Sequence, residues 1–255
     1  MILTDTHCHL YSEEFVTDAD EVISRAINEG VDTFYLPAID SSTHAQMVKL
    51  EETYPDKCIA MMGLHPCYVK ENYLTELQFV EEWLAKKKFA AVGEIGLDFY
   101  WDKTFATQQY EAFRKQITLS LQYKLPIVIH TRSAMPETIA VVKEYTSKSI
   151  SGIFHCFSGN YKEAMEIIDM GFYLGIGGVL TYKNAGLAEV IEKIDIKHLV
   201  LETDAPYLTP VPFRGKRNES SYLIYIAEKL AQIKNMPIEE VAAVTTANAE
   251  KIFGG

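Results

Sequence analysis

The chain has 255 residues, of which 48% are apolar, and a formal net charge of −11. The apolar content suffices for a sizeable core, and the length suits one (β/α)8 barrel or two ordinary domains. The acidic balance argues against a general nucleic-acid coat protein but not against an enzyme that meets a polyanion at one cleft, where bound metals and a few arginines set the local field.

No long uncharged apolar stretch offers a membrane helix. The opening Met1-Ile2-Leu3-Thr4-Asp5 lacks the basic start and apolar run of a secretory signal. Cys8, Cys58, Cys67 and Cys156 have neither zinc-finger nor disulfide-framework spacing and read as reduced thiols of a cytosolic protein.

Strand-like and helix-like stretches alternate along the chain. Residues 3–10 read as strand one, 18–30 as a helix with a glycine stop, 31–38 as strand two and 41–54 as a helix. Residues 58–65 read as strand three and 74–88 as a helix with Trp83 and Leu84 on its apolar side. Strand four runs from Phe89 to Glu94. A long amphipathic helix over about 105–123 leads to Pro126, which opens strand five, ending at His130. Then come a helix over 136–145, strand six over 152–155, a helix over 161–170, strand seven over 172–179, a helix over 187–194 and strand eight over 199–204. Helices over 221–234 and 237–249 finish the chain.

Alternation of this kind implies a parallel sheet covered by helices. Eight such units without a central gap favour closure into an α/β TIM-type (β/α)8 barrel over an open doubly wound sheet. No G-x-G-x-x-G turn follows strand one, which weakens a dinucleotide-binding reading. With no inter-domain linker in evidence, residues 1–255 are expected to form one domain.

Chemistry-bearing residues recur where these strands should end: His7, His9, Glu94, His130, His155 and Asp204. Polar metal-binding side chains repeated at strand ends describe a barrel with its site at the C-terminal rim. Side chains alternate along a strand, so His7 and His9 point one way and Cys8 the other, and the same logic sets Cys156 opposite His155. Neither cysteine is therefore expected to be a ligand.

Four imidazoles and two carboxylates suit zinc, manganese, cobalt or magnesium. Six ligands exceed the three that one catalytic zinc normally takes from protein. Two divalent ions (Mg, Mn or Zn) sharing a carboxylate would accommodate them all, at a separation of roughly 3.5–4 Å. Glu94 is the candidate bridge. Asp204 is the candidate general base, with a helix N-cap before Pro206 as its structural alternative.

Arg132 lies two residues beyond His130 and suits a phosphate or a structural ion pair. His65 is expected just behind the ligands, fixing one of them or touching phosphate. Arg214, Lys216 and Arg217 form a compact basic turn, placed for a phosphate backbone or else solvated and paired with Glu219. Phe99-Tyr100-Trp101 is expected to pack over the barrel mouth, stacking of single-stranded bases being the alternative.

Seven stretches carry a family resemblance: Asp5-Thr6-His7-Cys8-His9, Gly63-Leu64-His65-Pro66, Gly93-Glu94-Ile95-Gly96-Leu97-Asp98, His130-Thr131-Arg132, His155-Cys156-Phe157-Ser158-Gly159, Glu202-Thr203-Asp204-Ala205-Pro206 and Arg214-Gly215-Lys216-Arg217-Asn218-Glu219. Together, in this order and across nearly the whole chain, they resemble the TatD family of metal-dependent deoxyribonucleases, within the barrel-fold metal-dependent hydrolases. The resemblance implies one metal held by His7, His9, Glu94 and Asp204 and a second held by Glu94, His130 and His155. It also implies magnesium-supported hydrolysis of DNA phosphodiesters, often as an exonuclease on single strands. Two positions depart from the family's habit: Ser133 stands where an acidic residue is common, and Ser220 where proline is common. Both are expected near the substrate rim, where they would bear on fine specificity.

Two rivals stand beside this reading. One is a hydrolase of another ester or amide, including deacylation of mischarged transfer RNA. Many barrel relatives of that kind bridge their metals with a carboxylated lysine on strand four, where this chain has Glu94. The other is a binding module whose metals only stabilise it. The expected partner is single-stranded DNA, with no membrane, for a cytoplasmic monomer or weak homo-oligomer.

Overall fold

Strand geometry sends successive side chains to opposite faces, and in this protein one face goes to a shell of helices and the other to a narrow interior. A computed structural model describes residues 1–254. The strands are β1 (Leu3–Asp5), β2 (Val31–Leu36), β3 (Cys58–Ala60), β4 (Val92–Asp98), β5 (Ile127–Arg132), β6 (Gly152–Phe154), β7 (Tyr173–Ile176) and β8 (Leu199–Leu201). The helices are α1 (Ala19–Asn28), α2 (His44–Thr53), α3 (Tyr73–Lys86), α4 (Ala106–Tyr123), α5 (Met135–Lys143), α6 (Tyr161–Asp169), α7 (Leu187–Glu192), α8 (Leu223–Lys234) and α9 (Ile238–Phe253). No helix among the described residues is long and apolar enough to cross a membrane.

All strand pairs are parallel, in two sheets of order β1-β2-β3 and β4-β5-β6-β7-β8. Individual hydrogen bonds cross both seams between the sheets. At one, Met62 N donates to Ala91 O (3.1 Å) and Gly93 N to Met62 O (3.0 Å). At the other, Thr6 N donates to Leu201 O (3.0 Å), Asp204 N to His7 O (2.9 Å) and His9 N to Ala205 O (2.7 Å). The result is the TIM-type barrel expected from the alternation of elements.

Several strands are shorter than the sequence suggests. β1 stops at Asp5 and β3 at Ala60, so His7, His9 and His65 lie on the segments that follow. Those segments turn their polar side chains into the barrel mouth instead of continuing the ladder. β4 shows the opposite error: it starts at Val92 and runs past Glu94 to Asp98, with a register shift against β5 between Gly93 and Ile95. Gly96, in the same strand, has φ +145°, and a Cβ there would meet His130 O at 1.9 Å. Close approach of the two backbones at this point therefore requires glycine.

The interior is layered. Tyr35, Met61, Ala91 and Val128 form one small buried cluster, and Ile153, Val200 and Ala249 another. The last turn of α9 closes both, with Phe253 stacked on Tyr35 at 3.9 Å between ring centroids. Two positions further along the same strand faces, Val128, Ile153 and Val200 give way to His130, His155 and Glu202. Period-2 geometry thus stacks a polar layer directly above an apolar one.

The β1–β8 seam has its own polar lock. The buried Asp5 carboxylate accepts from Thr203 N (2.9 Å), Thr203 Oγ1 (2.6 Å), Ser220 Oγ (2.7 Å) and His7 N (3.3 Å). Burial pushes its pKa up to about 6 against these hydrogen bonds. Ser220 is therefore no rim residue. It is fully buried and donates to Asp5, a role that a proline could not fill. Ser133 is exposed at φ +52°, just after β5.

His44, at the start of α2, is buried away from this interior among Trp83, Phe79 and Phe89, its ring 4.2 Å from the Trp83 centroid. Neither ring nitrogen has a hydrogen-bond partner among the described residues. Burial lowers its pKa, and Lys87 adds to that while Glu51 opposes it. Those two charged neighbours pair with each other at 2.7 Å. The unfolded chain therefore takes up a proton here first as pH falls below about 6.5. The neutral ring's contribution to stability is present above that pH and is lost toward the lower folded value. His44→Leu is expected to shrink the fall in melting temperature between about pH 7.5 and pH 5.5 relative to wild type. Equal falls in the two proteins would clear His44 of any part in acid sensitivity.

Candidate metal centre

Glu94 is 98% buried, and histidines address both of its carboxylate oxygens. Oε2 lies 3.0 Å from His7 Nε2 and 3.6 Å from His9 Nε2. Asp204 Oδ1 completes this group, 3.8 Å from His7 Nε2 and 3.6 Å from His9 Nε2. Oε1 lies 2.7 Å from His130 Nδ1, 3.1 Å from His155 Nε2 and 3.3 Å from His65 Nε2. The His7 and His155 rings stack at 3.8 Å, joining the two groups. The structure thus brings together all six residues singled out as ligands, and His65 beside them.

The donor set fits divalent cations. A tetrahedral site with bonds of about 2.1 Å has edges of about 3.4 Å, which is the spacing these donor atoms show. Among the described residues three metal-capable groups are present: His7 with His155 and Asp204, His7 with His9 and Glu94, and His65 with Glu94 and His130. The electrostatics agree. Burial acts to raise the Glu94 pKa, yet His65, His155 and His7 together hold it well below the usual carboxylate range. Asp204 is lowered likewise, against burial, by His9, His155 and His7. His155 is pushed well above the usual imidazole range, against burial, by Glu94 and Glu202. A buried cluster of this kind needs positive charge.

The groups on the far side of four of the rings bear on which nitrogen is left to the site, while His7 Nδ1 has no partner among the described residues. Asp98 Oδ2 lies 2.8 Å from His130 Nε2 and would hold the proton there, so that Nδ1, 2.7 Å from Glu94 Oε1, is the nitrogen a bound cation would take. Glu202 Oε1 lies 3.4 Å from His155 Nδ1, which leaves His155 Nε2 to the site. Tyr11 donates to Pro37 O (2.5 Å) and so accepts from His9 Nδ1 (3.1 Å), again freeing Nε2. His65 is the exception. Its Nδ1 accepts from Cys67 N at 3.1 Å, so the neutral ring presents Nε2–H to the site. Although close enough to ligate, it is set up as a donor.

Asp98, Glu202 and Tyr11 had no role assigned in the sequence reading. Asp98 shares a strand face with Glu94 only because β4 runs on past Glu94 to Asp98, beyond the strand end expected from the sequence. Gly175 makes room for Glu202, because a Cβ there would come 2.2 Å from Glu202 Oε2.

The cysteines are absent from the metal-capable groups among the described residues. Cys8 faces outward, with Sγ 3.7 Å from Tyr35 O. Strand alternation does not govern Cys156, because β6 ends at Phe154 and Cys156 turns at φ +49°. Burial pushes its thiol well up, with Asp204 and Glu202 adding to the effect.

The basic residues part company. Arg217 forks onto Asp18 at 2.8 and 2.6 Å with its guanidinium over the Phe15 ring, so it is an ion-paired structural residue and not an available phosphate contact. Glu219 pairs with Arg25 instead of the basic turn (3.0 and 2.7 Å). Arg214 is exposed and lies 4.2 Å over Tyr182, and exposed Lys216 lies 5.6 Å over Phe213. Arg132 is exposed beside Tyr100 and Trp101. Among the described residues none of these three cations has a carboxylate oxygen within 4.0 Å.

A parallel barrel with buried imidazoles and acids converging at its mouth is the architecture of a metal-dependent hydrolase. The match to the family described as TatD related DNase spans residues 4–254. The chain is 42% identical over 253 residues to the uncharacterized metal-dependent hydrolase YabD of Bacillus subtilis, covering 99% of each. It is 33% identical over 258 residues to the 3'-5' ssDNA/RNA exonuclease TatD of Citrobacter rodentium, covering 98% of this chain and 97% of that one. The crystal structure of YJJV, a TatD homolog from Escherichia coli, superposes with a TM-score of 0.94 at 29% identity, covering 99% and 98% of the two chains. This chain belongs to the TatD family and is a metal-dependent hydrolase.

If Asp98 fixes the ring of His130, Asp98→Ala is expected to weaken divalent-ion affinity by about 10- to 100-fold. Competition of the two proteins against a fluorescent chelator measures this directly. Unchanged affinity would mean that His130 needs no such support.

Proposed function

We propose that this protein hydrolyses phosphodiester bonds of DNA, working as an exonuclease on single strands with two divalent ions at the mouth of the barrel. The division of Glu94's oxygens carries the reading: one faces His7 and His9, the other His130 and His155. One ion would be held by His7, His9, Glu94 and Asp204, the second by Glu94, His130 and His155. Glu94 would bridge the two ions, with no need of a carboxylated lysine. The exonuclease named among its relatives matches over nearly the full length of both chains. The three cations without acidic partners suit a polyanion in a protein whose net charge is −11. Four free cysteines fit a reducing, cytoplasmic setting.

Divalent ions at such a site supply Lewis acidity toward water and toward phosphoryl oxygens. The chain's own residues do the rest. Asp204 directs Oδ1 at His7 and His9, and its side chain keeps 13% exposure, leaving an oxygen to orient the attacking water and accept its proton. Histidine charges lower its pKa, so it is ionised and ready to act as a base at neutral pH. The Nε2–H of His65 and the Arg132 guanidinium donate to phosphoryl oxygens, stabilising charge that grows in the transition state. Arg214 and Lys216 hold the strand beyond the reacting phosphate.

An end-labelled single-stranded oligonucleotide, incubated with magnesium, manganese or zinc, is expected to yield a ladder shortening from one end and no products with excess chelator. An intact oligonucleotide alongside a cleaved aminoacyl ester would transfer the protein to the rival ester class. Asp204→Asn is expected to lower turnover by at least about 1,000-fold with its melting temperature kept. Near-normal turnover would remove Asp204 from the role of base. Arg214→Gln with Lys216→Gln is expected to reduce the slope of log affinity against log salt by about 1.4, at about 0.7 per contact on a single strand. Arg217→Gln is expected to lower the melting temperature and leave the slope in place.

A further inference from the structure

Tyr100 and Trp101 are large aromatic residues left 56% and 70% exposed. They are not loosely held. Asp98 Oδ1 accepts from Tyr100 N at 2.9 Å and faces Trp101 N at 3.5 Å, and Phe99 N donates to Arg132 O at 2.9 Å. The same Asp98 carboxylate uses its other oxygen to orient His130. One acid thus pins both a metal-facing imidazole and the loop that carries the two rings.

Arg132 completes the arrangement. It lies on the same strand face as His130, two residues on, and its guanidinium carbon sits 3.9 Å from the Tyr100 centroid and 5.1 Å from that of Trp101. Among the described residues it makes no ion pair, so its charge remains available to an anion at the mouth. An exposed aromatic face next to a cation meets the two needs of a single-stranded nucleotide: a surface for the base and a partner for the phosphate. Aromatic rings that only covered the barrel mouth would be buried by it, as Phe99 partly is.

We infer that Trp101 and Tyr100, flanked by Arg132, form a base-stacking subsite for the nucleotide next to the scissile phosphate. This inference rests on the phosphodiesterase reading above and adds to it the part of the substrate that the site grips. Stacking recognises the face of any base, so the subsite favours unpaired strands with little sequence preference. Bases held in a duplex would not reach it.

A cycle of protein and substrate changes tests the subsite. The substrates are a single-stranded oligonucleotide and its counterpart with abasic units at the nucleotides flanking the cleaved bond. The proteins are wild type, Trp101→Ala and Trp101→Phe, all metal-loaded. Trp101→Ala is expected to lower kcat/KM on the intact strand about tenfold, chiefly through KM, and Trp101→Phe to restore most of it. The abasic change is expected to penalise wild type by a similar factor, and the two penalties together to be far smaller than their product. Multiplying penalties, or a phenylalanine variant as poor as the alanine one, would overturn the subsite while leaving the hydrolase reading intact. Failure of wild type to cut the intact strand at all would overturn the phosphodiesterase reading, and the subsite with it.

Discussion

A single buried carboxylate sets the terms for the rest of this barrel. Glu94 sits 2% exposed with histidines on both of its oxygens. An unpaired buried anion is strongly disfavoured, and one so placed organises its surroundings by attraction. The charge of Glu94 helps to push His155 upward while neighbouring imidazoles hold Glu94 itself down. A divalent cation at this point would take the place of the ring protons and satisfy the acids together. The apolar layer below, sealed by Phe253 against Tyr35, keeps water from reaching the site through the far end.

Proximity alone would not sort these histidines. Five of them stand within 3.6 Å of Glu94. What separates them is the group behind each ring. Asp98 behind His130 and the Tyr11 phenol behind His9 accept from the outer ring nitrogen and leave the inner one to a cation. A backbone N–H behind His65 does the reverse, turning a proton inward. The same distance to Glu94 therefore leaves a different ring nitrogen, and a different hydrogen-bonding role, facing the site in the two cases.

The outline of fold and site was legible because it depends on local regularities. Apolar runs ending in His130, His155 and Asp204 identify strands and rim together, and their spacing gives eight units. What escaped the sequence depends on contacts made across the fold. Glu94 looked like the end of a strand, since the glycines around it hide that β4 continues to Asp98. Asp98 and Glu202 lay inside recognisable stretches, but a residue that orients a ligand has no spacing rule of its own. Arg217 looked equivalent to Arg214 until the fold brought in Asp18, 199 residues away. Ser220 looked like a surface substitution, yet it answers a buried acid at the other end of the chain.

The lock between β1 and β8 has a consequence for how the protein comes into being. Asp5 meets Thr203 across 198 residues, and the same seam delivers Asp204 to His7 and His9. Contacts so distant in sequence form late, after most of the chain entropy has been lost. Until the ring shuts, the polypeptide offers incomplete sets of donors, each a weak trap for any passing ion. Full occupancy and completed topology therefore arrive together, and a loaded site certifies that the chain has closed on itself.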